Sequence, residues 1–447
     1  MILRRYRNMK LKRLICISLI SVMALGLFTS CKKSPAEQSD NILKFAAVET
    51  AYGADVWQEI KEAFEAAYPG VTVELNINKN IEDIISSQMQ AGNYPDVIHL
   101  ATGREKAMTE TFIKDSELLD ITDVFTTTIP GEDVTPAEKL IAGMLDTAAT
   151  NPYDDNKTYL APMFYSPCGL FYDAGLFKKN GWEVPTTWDE MFELGDKARE
   201  QGIYLFTYPH SGYFDAFMYA LLREAGDADF YNSVLNYGEG VWDSDEAKKV
   251  FDLVAKLKDY TEPTTVANSN DENFRKNQQL VIENKALFMP NGTWVVDEMA
   301  DTPRSEDFEW GFMALPALEA GGDRYSYTFI EQMWIPKQAT NQDMAKKFIN
   351  FMYSDTAVDI FKNHGAIQPV KDISDKLEGI NKTFYSIYDN GAKAVMGVFA
   401  TTDPVEGVSI KESLLTAIDS VMSGAKTVDQ WKAGVIEASD KLRAALK

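Results

Sequence analysis

The chain has 447 residues, 45% of them apolar, which is too long for one hydrophobic core and too apolar for a largely disordered chain; two domains of ordinary size are expected. Acids outnumber bases 67 to 44, a formal charge of −23. Such a surface repels polyanions and anionic lipid, which excludes nucleic-acid binding and membrane adhesion through basic patches.

The first 30 residues are not part of the fold. Arg4, Arg5, Arg7, Lys10, Lys12 and Arg13 form a basic region ahead of an apolar run over 14–28, of secretory length and short for a spanning helix. The run ends in Leu27-Phe28-Thr29-Ser30-Cys31, which resembles a bacterial lipobox. That likeness implies cleavage after Ser30 and lipidation of Cys31, although Phe28 stands where leucine is usual. Removing the leader takes six bases and no acid, leaving 38 against 67 and a formal charge of −29. Residues 31–41 read as a polar tether. Cys16 leaves with the leader and Cys31 carries lipid, so Cys168 is a lone thiol with no disulfide partner, best read as a small filler in a Pro-Cys-Gly turn.

From residue 42 the hydrophobic period alternates. Strands are expected at 43–48, 71–75 and 96–100, with amphipathic helices at 56–67 and 81–90 between them. Strand, helix, strand, helix, strand implies parallel pairing with right-handed crossovers, and ligands in such sheets sit beyond the carboxyl ends of strands. This places Glu49, Thr50 and Tyr52 after the first strand, and Ala101, Thr102, Gly103 and Arg104 after the third, at one mouth.

Residues 161–168 hold two prolines and two aromatics and predict a shaped connection rather than a regular element. Residues 169–177 predict a buried strand turning into a short helix. Thr187 with Glu190 three residues later predicts a capping box opening a helix. A strand at 204–208 then leads into Pro209-His210-Ser211-Gly212-Tyr213-Phe214-Asp215, the most site-like loop in the chain; Phe214 equally suits the core face of the helix that follows. Residues 280–290 predict a strand delivering Asn291-Gly292-Thr293-Trp294. A strand at 325–335, helices at 342–353, 356–363 and 410–422, and a second capping box at Thr427 and Gln430 complete the chain.

Several of these runs together resemble the extracellular solute-binding proteins of family 1, the receptors of ABC-type sugar importers that include the maltose-binding protein. They are Tyr172-x-x-x-Leu176-Phe177 followed by Pro185-Thr186-Thr187-Trp188-Asp189-Glu190, Phe64-Glu65-x-x-Tyr68-Pro69-Gly70, Ala91-Gly92-Asn93-Tyr94-Pro95-Asp96-Val97, Asn284 through Trp294, and Trp334-Ile335-Pro336. Within that family, Phe164-Tyr165-Ser166-Pro167 and Leu205-Phe206-Thr207-Tyr208-Pro209 look most like members labelled for N-acetylglucosamine or its β-linked dimer. The resemblance implies an α/β fold of the type II periplasmic-binding-protein kind, with two discontinuous lobes and a ligand cleft between them. The expected lobes are 42–162 with 332–375, and 163–331 with 376–447, joined near 161–165, 329–332 and 370–380. It further implies a monomer on the outer face of the cell membrane, held by a lipid anchor and passing sugar to the transmembrane subunits of an ABC permease.

A pyranose is an apolar face edged by hydroxyls, so its site needs aromatic platforms and charged or amide edge partners. The expected platforms are Tyr52, Tyr165, Tyr213 and Trp294; the expected edge partners are Glu49, Thr102, Arg104, Asp215, Asn291 and Glu331. Glu331 is an acid in an otherwise apolar and aromatic crossing segment, and a salt bridge across the hinge is its competing reading. No nucleophile elbow, metalloprotease motif, Walker loop or calcium loop occurs, and His99, His210 and His364 are scattered. The carboxylate pairs Asp154 with Asp155 and Glu190 with Glu193 suit a turn and a solvated helix side better than a glycosidase. The expectation is a binding protein with no cofactor and no metal, not an enzyme. A surface glycan tether or a receptor coupled to a sensor remains a different expectation from the same residues.

Overall fold

A computed structural model describes residues 41–446 except 51, 52, 105, 146, 148, 154 and 401. Cys31, Tyr52 and Asp154 therefore lie outside the described residues, and so do the leader and all of the tether but its last residue.

Among the described residues nine strands build one mixed sheet: β1 (Ile42–Val48), β2 (Thr72–Asn78), β3 (Val97–His99), β4 (Ala161–Asp173), β5 (Tyr204–Phe206), β6 (Ala286–Gly292), β7 (Trp310–Met313), β8 (Tyr325–Trp334) and β9 (Lys393–Val395). Their order is β2-β1-β3-β8-β4-β6-β5, with β7 added beside β4 and β9 beside β8. β1 and β3 pair in parallel, Phe45 opposite Val97, and the helices Asp55–Ala67 and Ile81–Gln90 return the chain between strands. Both helices have a strong apolar stripe; Val56, Trp57, Ile60 and Phe64 bury the first.

Two long strands cross the molecule side by side. β4 and β8 are antiparallel from Ala161 opposite Met333 to Cys168 opposite Tyr327, with a bulge between Pro162 and Phe164. At its far end β8 also pairs with β3, His99 opposite Met333. The helices after β8 pack back on the first third of the chain: Phe348 meets Phe45 and Phe64 at 5.2 and 4.9 Å, and the Asn350 amide donates to Val124 O and Thr127 O, each at 3.0 Å. By backbone contacts, residues 43–447 form one unit.

Two expectations fail here for physical reasons. Residues 161–168 are strand, not an irregular connection. Their prolines are tolerated because this half of β4 has a strand partner on one side only; β6 and β7 join it from Cys168 and Leu170 onward. A missing N–H there breaks no two-sided ladder. Residues 274–282 are a helix, and β6 begins only at Ala286. Asn284, at φ 58°, turns the chain between them, so the apolar run 280–290 holds two elements and neither period is clean. Elsewhere the capping boxes at Thr187 and Thr427 form as read, with the threonine oxygen accepting the Glu190 and Gln430 N–H. The expected helix 410–422 is interrupted by a π-turn at Glu412–Thr416.

Gly169 fixes the approach of β7 to β4. A Cβ there would collide with the Met313 carbonyl oxygen and the Phe312 ring, both held by strand pairing. Gly169→Ala is expected to lower stability by about 1–3 kcal/mol, the usual cost of overpacking, read as a denaturation midpoint; an unchanged midpoint would show that β7 moves freely.

Candidate functional site

The middle of β8 identifies the cleft floor. β4 pairs this strand through its middle, while β9 and β3 reach only its two ends; both ends are buried, yet in the centre Phe329 is 42% exposed and Ile330 and Glu331 are half-buried. A large apolar side chain left open in the middle of a central strand marks a surface kept for something else.

Above Phe329 lies a pocket of about 190 Å³ lined by Cys168, His210, Gly212, Tyr213, Asp215, Ala216, Asn291, Trp294 and Phe329. Each wall has a local cause. After β5 the chain turns through Ser211–Tyr213 because His210 Nδ1 accepts the Gly212 N–H at 3.0 Å; a Cβ on residue 212 would strike the His210 ring. Phe214 then drives into the core against Tyr208 and Phe217, at 5.0 and 4.9 Å, which leaves Tyr213 and Asp215 on the pocket side. The buried Asn277 amide holds the start of this loop by donating to Tyr208 O, Pro209 O and Thr265 O.

The opposite wall comes from β6. Asn291 is buried at 3% exposure, and Gly292 lets the Trp294 ring fold back over the strand, where any side chain would clash with it. Trp294 then faces Phe329 at 5.7 Å and Tyr213 at 6.2 Å. Tyr213 is itself pinned: its hydroxyl donates to Glu298 Oε1 at 3.1 Å, and the buried Gln278 amide donates to Glu298 Oε2 at 2.8 Å. Burial and then the Glu298 charge push the Tyr213 phenol up to about 12. Its hydroxyl is thus already engaged by Glu298.

Burial pushes the Asp215 carboxyl above the usual carboxylate range, against an opposing hydrogen bond from the Ala216 N–H. Burial, with the Asp215 charge nearby, pushes the Cys168 thiol up as well. Cys168 is therefore a neutral wall in β4, where the sequence suggested a turn.

A second group gathers on the β3 side and lines none of that pocket. Thr102 is tied to Gln332 by two hydrogen bonds, Thr102 N–H to Gln332 Oε1 at 3.1 Å and Gln332 Nε2 to Thr102 Oγ1 at 3.3 Å. Arg104 Nε donates to the buried Glu82 at 3.0 Å, so its guanidinium is already engaged. Glu49 sits just past β1, its N–H on Asn78 O. Glu331 Oε2 lies 3.3 Å from His99 Nε2. That contact is not an ion pair at neutral pH, because burial, with Arg104 close by, holds the His99 pKa down to about 3.

Tyr165 is a correction. Its ring is buried against Tyr385 and Tyr388 at 4.9 and 5.6 Å, in the core and away from the pocket, so it offers no open platform. Tyr213, Asp215, Asn291 and Trp294 are thus brought together, while Glu49, Thr102, Arg104 and Glu331 stand apart. Phe329, Cys168 and Ala216 were missed as lining residues, whereas His210 and Gly212 lie in the loop singled out as site-like. Phe329 is uncovered because β9 and β3 pair with the two ends of β8 and leave its centre to β4 alone, which is not a local property of its sequence.

Among the described residues no group of three or more His, Cys, Asp and Glu is placed to hold a metal ion, and no helix is long and apolar enough to cross a membrane.

The model of bacterial extracellular solute-binding proteins matches residues 46–359. The diacetylchitobiose binding protein NgcE of Streptomyces coelicolor is 24% identical over 332 residues, 71% of this chain and 67% of its own length. The multiple sugar-binding protein of Streptococcus mutans is 23% identical, covering 75% of this chain and 78% of its own. Among solved structures, the bacterial solute receptor AcbH, described as exclusive for β-D-galactopyranose, aligns over 90% of this chain and 99% of its own, with a TM-score of 0.68 at 16% identity. A chitin oligosaccharide binding protein aligns over the same shares with a TM-score of 0.57 at 17% identity.

Proposed function

The chain belongs to the bacterial extracellular solute-binding proteins, and on that premise we propose that it is the sugar receptor of an ABC-type importer. Its fold is the α/β type II periplasmic-binding-protein fold. The observation that carries the proposal is the pocket itself: the rings of Tyr213, Trp294 and Phe329 line it together with one carboxylate and one amide. Aromatic faces beside a few fixed polar groups are what a pyranose requires. The enclosed volume, below the roughly 300–1,000 Å³ of drug-sized sites, suits one ring, with any further rings extending along the cleft.

The ligand is a mono- or oligosaccharide, with N-acetylglucosamine or chitobiose the first candidates. The name of the Streptomyces relative supports that choice. The lobes are 42–162 with 332–375, and 163–331 with 376–447, and β4 and β8 are the strands that bend when they close. Closure is driven only as far as sugar touches both lobes and binds the closed state better. Glu49, Thr102 and Arg104 supply the contacts from the first lobe, and Glu331 adds one from the crossing strand β8.

A thermal-shift screen of the protein against mono- and oligosaccharides tests the reading, because a specific ligand stabilises by RT ln(1 + [L]/Kd), about 2.7 kcal/mol at a hundredfold excess over Kd. A shift with at least one sugar is expected; no shift with any of them would contradict it.

Lipidation at Cys31 completes the proposal, holding the receptor on the outer face of the membrane beside its permease. Each buried methylene of the acyl chains contributes about 0.8 kcal/mol. Cys31→Ala is expected to release the protein to the soluble fraction, and persistent membrane association of that variant would rule the anchor out.

A further inference from the structure

The back of the pocket is more specific than a set of sugar-hydroxyl partners requires. Asn291 Oδ1 accepts the Gly292 N–H at 2.9 Å, which settles which end of the amide is which. Its Nδ2 is then a buried donor with no hydrogen-bond partner among the described residues. Leaving such a donor unmet is costly, so a ligand that fills this site gains most by bringing an acceptor to it. Across the pocket the Asp215 carboxylate can only accept, and the Ala216 N–H is the one hydrogen-bond donor it meets among the described residues. Burial favours its pairing with a ligand donor over water. Of the other seven lining residues, Cys168, Ala216 and Phe329 offer a neutral thiol, a methyl and an exposed ring, beside His210, Gly212, Tyr213 and Trp294.

One acceptor, one donor and an apolar recess match an amide carrying a methyl group. Resting on the sugar-receptor reading, we infer that this end of the pocket is an acetamido subsite of an N-acetylated sugar. Asp215 accepts the ligand's amide N–H, Asn291 Nδ2 donates to its carbonyl oxygen, and Cys168, Ala216 and Phe329 surround its methyl. A hydroxyl in the same place leaves the recess empty, since hydroxyls donate and accept alike and carry no methyl. A free amine pairs with Asp215 but offers Asn291 no acceptor.

Calorimetric titration of the protein with N-acetylglucosamine, glucosamine and glucose, and with diacetylchitobiose and cellobiose, tests this. The acetylated sugar of each set is expected to bind roughly 10- to 100-fold tighter than its unacetylated counterparts, the value of one or two buried hydrogen bonds. Asn291→Ala and Asp215→Asn are each expected to weaken the acetylated sugars more than the unacetylated ones, and so to remove most of that preference. Should either variant fail to fold, the sugar series on the unmodified protein still decides. Equal binding of acetylated and unacetylated sugars would overturn the subsite and leave the receptor reading standing. Failure of every sugar to bind would overturn both.

Discussion

Trp294→Ala and Asp215→Ala are each expected to weaken sugar binding by roughly 10- to 100-fold, while Glu190→Ala leaves it unchanged. For Trp294 the loss combines a directed ring contact, about 0.5–1.5 kcal/mol, with the part of its apolar area that the sugar covers, about 1 kcal/mol for roughly 40 Å². For Asp215 it is a hydrogen bond to a charged acceptor, about 1.5–3 kcal/mol. The two sit on different elements, the turn after β6 and the first turn of the helix Phe214–Ala225, so a shared loss points to the pocket rather than to one distorted loop. Glu190 is the control because its carboxylate is spent on the Thr186 and Thr187 N–H groups at a helix start. Removing it costs stability, about 1 kcal/mol for a lost cap, and touches no pocket wall. Thermal melts of all three variants separate lost binding from lost fold; normal affinity in both pocket variants would discard this map of the site.

The second large effect is on stability against pH. His99 is buried at 1% exposure between the rings of Trp57 and Phe164, at 5.1 and 5.4 Å. Burial first, and the nearby Arg104 second, hold its pKa down to about 3 from 6.5. The folded protein therefore keeps His99 neutral where the unfolded chain takes up a proton. The resulting stability is present in full above pH 6.5 and is lost as pH falls from there towards 3. The slope approaches about 1.4 kcal/mol per pH unit, and the total reaches at most about 5 kcal/mol by pH 3. Urea denaturation between pH 7 and pH 4 is expected to show this loss, and His99→Gln, which cannot titrate, to show a shallower one. Equal slopes would mean that His99 gains its proton in the folded state, with Glu331, 3.3 Å away, as its counter-ion.

Much of this fold was legible because local signals agreed with tertiary demand. The first β-α-β-α-β run, both capping boxes and the crossing strand β8 were readable from period, punctuation and cap chemistry. Failures came where tertiary context overrode the local signal. Pro162 and Pro167 spoke against a strand, yet that half of β4 lacks a second strand neighbour. The apolar run 280–290 merged a helix end with a strand start. At the site, the loop from His210 to Asp215 and the strand end at Asn291 were legible, since a strand opening into aromatic and acidic residues beside glycine is a local pattern. Tyr165 was misplaced because an aromatic in a crossing segment has the same sequence signature whether it faces a cleft or, as here, Tyr385 and Tyr388. Phe329 escaped notice for the converse reason: the middle of β8 is open where β9 and β3 stop short of it, and only the strand pairing shows that. Arg104 kept the expected position but not the expected freedom, because its guanidinium is held by Glu82 of the helix Ile81–Gln90.

The central claim is that a sugar ring lies on Trp294, Tyr213 and Phe329. Its most direct measurement is calorimetric titration of diacetylchitobiose into the protein and into its Trp294→Ala variant. Saturable binding at one site per chain, weakened at least roughly tenfold in a variant that melts as a folded protein, is the predicted result. Binding of equal strength in the two proteins would contradict it.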